Sequence, residues 1–315
     1  MATTPSSRPA AHEFFNSLLA ILAGIWLLAA GAAAEPQIAL TFDDLPAHGV
    51  MPASAARVGI AQSVIDSLKA ARLPPVYGFV NGVGIEHEPA SAPVIRMWVE
   101  AGNLLGNHTW SHPGLSQKSV ADYEDEIARN EPVLQQAMDG RDWHWFRYPF
   151  LDEGSTPEKR AAIRAFLAAR GYRIAGVSMG LSDWLYNEPY ARCLAKHDDV
   201  AVAQLEKDFM TAAAEDVAYR RAASRVVIGH EIPFVMLLHI GAFEAHMLPQ
   251  LLAFYRAQGF SFVTLDKAES DPYYRQIRDP GQPAGSTGLD EDVWKQHKPM
   301  PPRTDFGPSL EAICR

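Results

Sequence analysis

The sequence predicts an α/β fold, a (β/α) barrel with about seven parallel strands. Short apolar runs with β-branched residues alternate with longer segments of helical periodicity, a pattern typical of a parallel sheet covered by helices. The number of strand–helix units in this 315-residue chain favours a barrel over an open sheet. Asp, His and Arg side chains follow several predicted strands directly, and the carboxyl ends of barrel strands share one rim.

Each predicted element has a local signature. Residues 38–46 form the first strand, an apolar run that ends in two carboxylates and a proline. The helix at 55–72 has apolar residues at helical spacing, and the helix at 156–170 begins with Thr156 as N-cap and Pro157 behind it. The other predicted strands are 76–80, 104–106, 143–148, 172–177, 235–240 and 260–265. The other predicted helices are 92–101, 120–139, 199–223 and 245–258.

The N-terminal region has the pattern of a targeting signal. An apolar run at 18–30 is followed by small residues at 31–34, which suit a signal peptidase. The run is short for a membrane span, and an uncleaved N-terminal anchor is the alternative. We therefore expect an exported protein, periplasmic or secreted. The predicted organisation is a signal peptide at 1–34, a catalytic domain at 35–270, and a coil-like tail rich in Pro, Gly and charges at 271–315.

Composition excludes several classes of partner. The chain is 48% hydrophobic and 21% charged, as folded proteins are, and its formal net charge is −9. An acidic chain without a long Lys/Arg run predicts no nucleic-acid partner and no membrane contact after signal cleavage. Its oligomeric state does not follow from the sequence. In an oxidising compartment Cys193 and Cys314 are expected to form one disulfide, with two unrelated thiols as the alternative.

Two segments contain the residues of a possible metal site. Asp43 and Asp44 can serve one site only if the strand ends there, because neighbouring strand side chains point to opposite faces; a solvated turn is the alternative. His108 and His112 lie four residues apart and face the same way on a helical turn. Two imidazoles and one carboxylate are a common ligand set for a catalytic divalent ion. The remaining acid would take a proton from water.

Four further residues complete the candidate site. His239 could protonate a leaving group, and Leu237 shares its strand face and could hold a small methyl. Asp183 could bond the far ring nitrogen of the histidine, and Arg147 could fix the free carboxylate. Taken singly, each has an ordinary structural interpretation: a core histidine, a helix cap and a surface ion pair. Their shared place on the predicted rim is what favours function.

Five ordered motifs resemble the polysaccharide deacetylase family, carbohydrate esterase family 4. They are Thr41–Asp44 (TFDD), His108–His112 (HTWSH), Arg147–Phe150 (RYPF), Asp183–Trp184 (DW) and Leu237–His239 (LLH). The resemblance implies a distorted (β/α) barrel with fewer than eight regular strands. It also implies metal-dependent removal of N- or O-acetyl groups from carbohydrates.

The resemblance also implies roles by position. Asp43 resembles the general base, Arg147 the residue that orients it, His239 the catalytic acid and Asp183 its partner. Asp44, His108 and His112 resemble the metal ligands. Leu237 and Trp184 resemble the wall of the acetyl pocket, and the Tyr148 backbone N–H an oxyanion donor.

The sequence also departs from the family pattern. Gly180 stands where an acid is common, Phe150 where Tyr is common, and Ile240-Gly241 where many members have Asp. These changes leave the proposed ligands, base and acid in place.

The predicted function is a metal-dependent hydrolase that removes N-acetyl groups from cell-wall or related polysaccharide. Zinc is the expected ion, and cobalt, nickel or manganese could use the same ligands. Trp110 is the predicted ring for sugar stacking. Two alternatives remain open: an acetyl-ester or small-amide hydrolase, and a non-catalytic exported carbohydrate-binding protein. The remaining histidines are expected to be surface or structural residues: His48, His87, His144, His197, His230, His246 and His297.

Overall fold

The computed structural model describes residues 1–2 and 35–315. The signal peptide predicted at 1–34 therefore lies outside the described residues, apart from its first two. Among the described residues, no helix combines the length and apolarity needed to cross a membrane.

One parallel sheet of eight strands lies at the centre of residues 36–315. The strands are β1 (Gln37–Leu45), β2 (Tyr77–Val80), β3 (Leu104–Asn107), β4 (Trp145–Phe146), β5 (Arg173–Ile174), β6 (Met179–Gly180), β7 (Phe234–His239) and β8 (Ser261–Phe262). Their order is β5-β4-β3-β2-β1-β7-β6, and β8 pairs with the start of β1. With β5 and β6 at its two ends, the sheet is a curled half-barrel rather than a closed barrel. The predicted distorted, parallel α/β architecture is confirmed.

Helices lie between most successive strands, and four more follow β8. They are α1 (Arg57–Ala70), α2 (Val83–His87), α3 (Pro93–Glu100), α4 (Val120–Met138), α5 (Pro157–Ala169), α6 (Asn187–Ala195), α7 (Asp199–Val227), α8 (Ala242–Ala257), α9 (Leu265–Ala268), α10 (Arg275–Arg278), α11 (Leu289–Gln296) and α12 (Gly307–Ala312). Every predicted helix is present, with ends displaced by a few residues. Thr156 caps α5 as predicted, because its side chain accepts from the Lys159 backbone N–H.

β1 positions the candidate site because it lies in the middle of the sheet. Ile38, Leu40 and Phe42 are buried, which fixes the strand in the core. β7 pairs with it in a register that sets Asp43 directly beside His239. Residues far apart in the sequence thus meet at the carboxyl edge of two adjacent strands.

The structure corrects the prediction of a coil-like tail. Residues 271–315 contain a short 3₁₀ turn and the helices α10, α11 and α12, and they pack on the domain through buried Tyr274, Leu289 and Leu310. The expected disulfide between Cys193 and Cys314 is present and joins this segment to α6. Short helices separated by Pro and Gly lack the long apolar period from which a helix is predicted.

Candidate active site

Asp44, His108 and His112 form a compact cluster at the ends of β1 and β3. The Oδ1 atom of Asp44 lies 3.5 Å from His108 Nε2 and 3.3 Å from His112 Nε2. This oxygen is buried and has no hydrogen-bond partner. A buried carboxylate oxygen without a partner is costly, so its position facing two imidazole nitrogens is that of a ligand set. The three residues fit a divalent cation.

Electrostatics agree with that assignment. Burial and, after it, the neighbouring His108 lower the pKa of the His112 imidazole to about 4, so the ring is neutral and offers a lone pair. Burial raises the pKa of Asp44, but the hydrogen bond from His48 and the nearby imidazoles outweigh it and hold the pKa below its usual range. Asp44 is therefore anionic, as a carboxylate ligand of a cation must be.

Buried asparagines shape the loop that carries the two histidines. Asn81 donates through Nδ2 to the carbonyls of His108 (2.5 Å) and Thr109 (3.1 Å). Asn130 donates to Asn107 Oδ1, which in turn accepts from the Thr109 backbone N–H. His108 is fixed further by a 2.7 Å contact between its Nδ1 and the Arg147 carbonyl, so that Nε2 faces Asp44.

Asp43 lies beside the cluster in different surroundings. Its carboxylate is buried, and both oxygens lie 3.4 Å from Nη1 of Arg147. Arg147 is fully buried and also donates to Thr41 Oγ1 and to the Ala175 carbonyl. A buried arginine fixed at three points holds this carboxylate in one orientation.

His239 lies beside Asp43 at the end of the adjacent strand β7 and is paired with Asp183. Its Nδ1 is 2.8 Å from Asp183 Oδ1, and its backbone N–H donates to Asp183 Oδ2 at 2.7 Å. Burial lowers the pKa of the imidazole, but the Asp183 carboxylate outweighs burial and raises the pKa to about 10. With Nδ1 bound to the carboxylate, Nε2 is the nitrogen that can donate a proton.

These residues line one cavity of about 610 Å³. Leu237, Trp184 and Tyr148 line it too, as predicted, and Trp184 and Phe150 are 51% and 69% exposed at its mouth. Several residues around it have left-handed backbone: Asp44, Thr109, His112, Phe150, Leu151 and Ser182. Such conformations cluster at functional sites because surrounding contacts must hold them.

Trp110 is not a sugar-stacking ring. It is only 9% exposed and lies outside the residues that line the cavity. Arg129 covers its face at 4.2 Å, and Gly82 approaches so closely that an added Cβ would lie 2.2 Å from the ring. The ring supports the histidine loop from behind, and the prediction of a substrate contact is wrong.

Two parts of the cavity were not predicted. His48 lies against Asp44, although the sequence suggested a surface or structural histidine. The spacing of four residues from Asp44 was the available signal. Residues 287–291 and Arg303, from the segment expected to be a tail, form the far wall. No local motif marked that segment.

Sequence comparisons identify relatives. A family model described as polysaccharide deacetylase matches residues 30–169. Peptidoglycan-N-acetylglucosamine deacetylase PgdA of Listeria monocytogenes is 29% identical over 103 residues, which cover 33% of this chain and 19% of that protein. The chitooligosaccharide deacetylase of Bradyrhizobium sp. is 27% identical over 218 residues, 67% of this chain and 89% of that one. The chain thus spans about a fifth of the listerial relative's length.

Solved structures share the fold. The chitin deacetylase of Colletotrichum lindemuthianum has a TM-score of 0.50 at 21% identity, covering 75% of this chain and 88% of that one. A CE4 family pseudoenzyme from Bacillus anthracis has a TM-score of 0.51 at 14% identity, covering 75% and 66%. Fold and site together define an α/β half-barrel protein with carboxylates and imidazoles gathered at the carboxyl edge of its sheet. The family match covers residues 30–169, less than half of the chain, and it supports a relation to the polysaccharide deacetylases of carbohydrate esterase family 4.

Proposed function

We propose that this protein is an exported, divalent-metal-dependent deacetylase that hydrolyses N-acetyl groups of a carbohydrate. The observation that carries the proposal is the convergence of Asp44 Oδ1, His108 Nε2 and His112 Nε2, with Asp43 and His239 beside them on adjacent strands. The relatives named for peptidoglycan and chitooligosaccharide deacetylation support an N-acetylated glycan as substrate.

Asp44, His108 and His112 would hold the cation, which supplies Lewis acidity that polarises the acetyl carbonyl and lowers the pKa of the attacking water. Asp43 takes the proton of that water, and Arg147 holds its carboxylate in one orientation. The Tyr148 backbone N–H donates to the developing oxyanion. His239 then gives its Nε2 proton to the leaving amine, and Asp183 stabilises the charged ring.

The cavity walls suit a small acetyl group. Leu237 lies on β7, two residues before His239, and is half-buried. Trp184 follows Asp183 in the sequence and lies at the mouth of the cavity. An apolar side chain and an indole face can enclose a methyl group while the sugar lies outside. We assign the catalytic domain to residues 35–315, since the C-terminal segment forms part of the cavity wall.

Zinc is the proposed ion because two nitrogens and a carboxylate oxygen suit it, and cobalt, nickel and manganese accept the same ligands. Export is proposed from the N-terminal signal pattern. The Cys193–Cys314 disulfide supports it, because such bonds persist in oxidising compartments.

Acetate release tests the function. Purified protein loaded with zinc is incubated with N-acetylated chitooligosaccharides, peptidoglycan fragments, acetyl esters and small amides, with and without chelator. Chelator-sensitive release from the N-acetylated glycans is expected. Release confined to the esters or small amides would reassign the substrate, and no release from any substrate by metal-loaded protein would refute catalysis.

A further inference from the structure

His48 contacts the candidate ligand Asp44 from the side opposite His108 and His112. Its Nδ1 lies 2.7 Å from Asp44 Oδ2, and the two side chains are only 17% and 15% exposed. Because a carboxylate can only accept, Nδ1 of His48 carries the hydrogen. The two oxygens of Asp44 thus face different partners, Oδ2 the donor of His48 and Oδ1 the two imidazoles.

The His48 main chain is held in place from two elements. Arg57 of α1 donates to the His48 carbonyl at 2.6 Å and to the Gly49 carbonyl at 2.9 Å. Gly49 has φ of +63°, and Asn187 lies 3.3 Å from where its Cβ would be. These contacts hold the backbone that carries the His48 ring.

The His48 ring also contacts the proposed acid. Its centroid lies 4.6 Å from that of His239, with 35° between the ring planes. His48 thus contacts both the candidate ligand Asp44 and His239.

We propose that His48 is a positioning residue that turns Asp44 toward the cation. Its hydrogen bond occupies Oδ2, fixes the carboxylate rotamer and leaves Oδ1 directed at His108 and His112. The inference rests on the proposed function in one respect, that Asp44 is a cation ligand. Loss of a residue that orients a metal ligand typically lowers metal affinity about 10- to 100-fold.

Two variants of His48 separate the effect of its hydrogen-bond donor from the effect of its ring. In His48→Asn the amide nitrogen can replace Nδ1 while the ring is lost, and in His48→Phe the ring remains while the donor is lost. His48→Ala removes both, and His87→Phe alters an exposed histidine at the end of α2 as a control. Zinc dissociation constants of the whole chain, stripped with chelator, are measured by calorimetry. Thermal unfolding of the metal-free forms verifies that each variant is folded.

For His48→Phe and His48→Ala we expect zinc affinity to fall about 10- to 100-fold. His48→Asn should stay near the wild type, and His87→Phe should equal it. Unchanged affinity in the folded Phe and Ala variants would overturn the proposal. Equal loss in His48→Asn and His48→Phe would also overturn it, because the ring itself would then be a ligand. Wild-type protein that binds no zinc would remove both this inference and the metal site.

Failure of the proposed function looks different. If the wild type releases no acetate from any substrate, yet its zinc affinity depends on His48 as described, the deacetylase proposal fails and the positioning role stands.

Discussion

Two adjacent aspartates at the end of β1 have opposite surroundings. Asp43 is paired with the buried guanidinium of Arg147, whereas Asp44 faces three histidines. The change of face arises because β1 loses its regular pairing with β2 between Phe42 and Leu45, and Asp44 adopts φ of 65°. One residue of backbone irregularity thus directs one carboxylate to the histidine cluster and the other to Arg147, which is the basis for the two roles proposed for them.

Substituting each aspartate by asparagine should therefore give different losses. Asp43→Asn keeps the shape but cannot accept a proton, so kcat is expected to fall about 10²- to 10⁴-fold while zinc affinity stays close to that of the wild type. Asp44→Asn removes an anionic ligand, so zinc affinity itself should fall. Turnover at saturating zinc and calorimetric titration measure the two effects.

Folding of the Asp43→Asn variant needs its own control. Arg147 would keep its charge in a buried site with a neutral partner, which costs stability. Circular dichroism and urea unfolding at the assay temperature establish that the lost turnover belongs to a folded protein. Equal loss of zinc affinity in both variants would contradict the division of roles.

How far the site follows from the sequence depends on the type of residue. Asp43, Asp44, His108, His112, Arg147, Asp183 and His239 were predicted because strand ends and spacing mark them. His48 and Trp110 were misjudged for one reason. Both lie in loops whose path depends on remote contacts, from Arg57 in one case and from Gly82 and Arg129 in the other.

At the scale of elements, the loop between β3 and α4 is positioned by the loop after β2. Gly82 follows β2 and donates its N–H to Asn130 Oδ1 at 3.0 Å, with Trp110 packed against it. Val83 also donates its N–H to the Trp110 carbonyl. Contact between these two loops therefore places both proposed histidine ligands.

Gly82→Ala tests that support. Gly82 has ordinary helical φ of −61°, so the methyl brings no backbone strain, but it would lie 2.2 Å from Trp110 and 2.8 Å from Asn130 Oδ1. We expect a loss of about 1–3 kcal/mol in the free energy of unfolding. Zinc affinity should fall as well, because Trp110 must move with the histidine loop.

Gly59→Ala is the matched control. Gly59 is exposed within α1, and nothing lies within 4 Å of its added Cβ. Replacing a helical glycine there should raise stability by about 0.5–1 kcal/mol and leave zinc affinity unchanged. Urea unfolding and zinc titration compare the two variants. A Gly82→Ala protein as stable as the wild type would show that the two loops are not tightly packed.

The reliability of the predicted elements follows their length and period. The long helices were predicted closely, because apolar residues repeated at helical spacing over several turns indicate an amphipathic helix and no other element. The strands at 143–148 and 172–177 shorten to two residues each, in β4 and β5. β6 and α6 were not predicted. Strands this short are determined by the neighbours they pair with, and a single sequence does not contain that information.

At the scale of the whole molecule, the C-terminal segment lies at the open end of the half-barrel, where it forms one wall of the cavity. Arg220 of α7 binds Asp216 at 3.0 Å and reaches Asp290 of α11 at 2.8 Å. Arg303 reaches the same two carboxylates, at 3.6 Å and 3.4 Å. This charge network attaches the segment to the longest helix, on the side of the sheet where β6 ends the strand order and the cavity would otherwise be open.

The disulfide completes this attachment. Cys193 is fully buried in α6, and the bond to Cys314 closes a loop with a sequence separation of 121 residues. Arg192 also donates to the carbonyls of Leu310 and Ile313, so the native state loses little geometry without the bond. Its main effect is therefore on the unfolded chain, whose entropy the long loop reduces.

The variant Cys193→Ala/Cys314→Ala should lose about 2–5 kcal/mol in the free energy of unfolding. Urea unfolding with and without reductant measures this: reductant should lower wild-type stability to that of the variant and leave the variant unchanged. A variant as stable as the oxidised wild type would show that the ion pairs alone hold the C-terminal segment, because the crosslink would then contribute nothing to the difference between folded and unfolded chains.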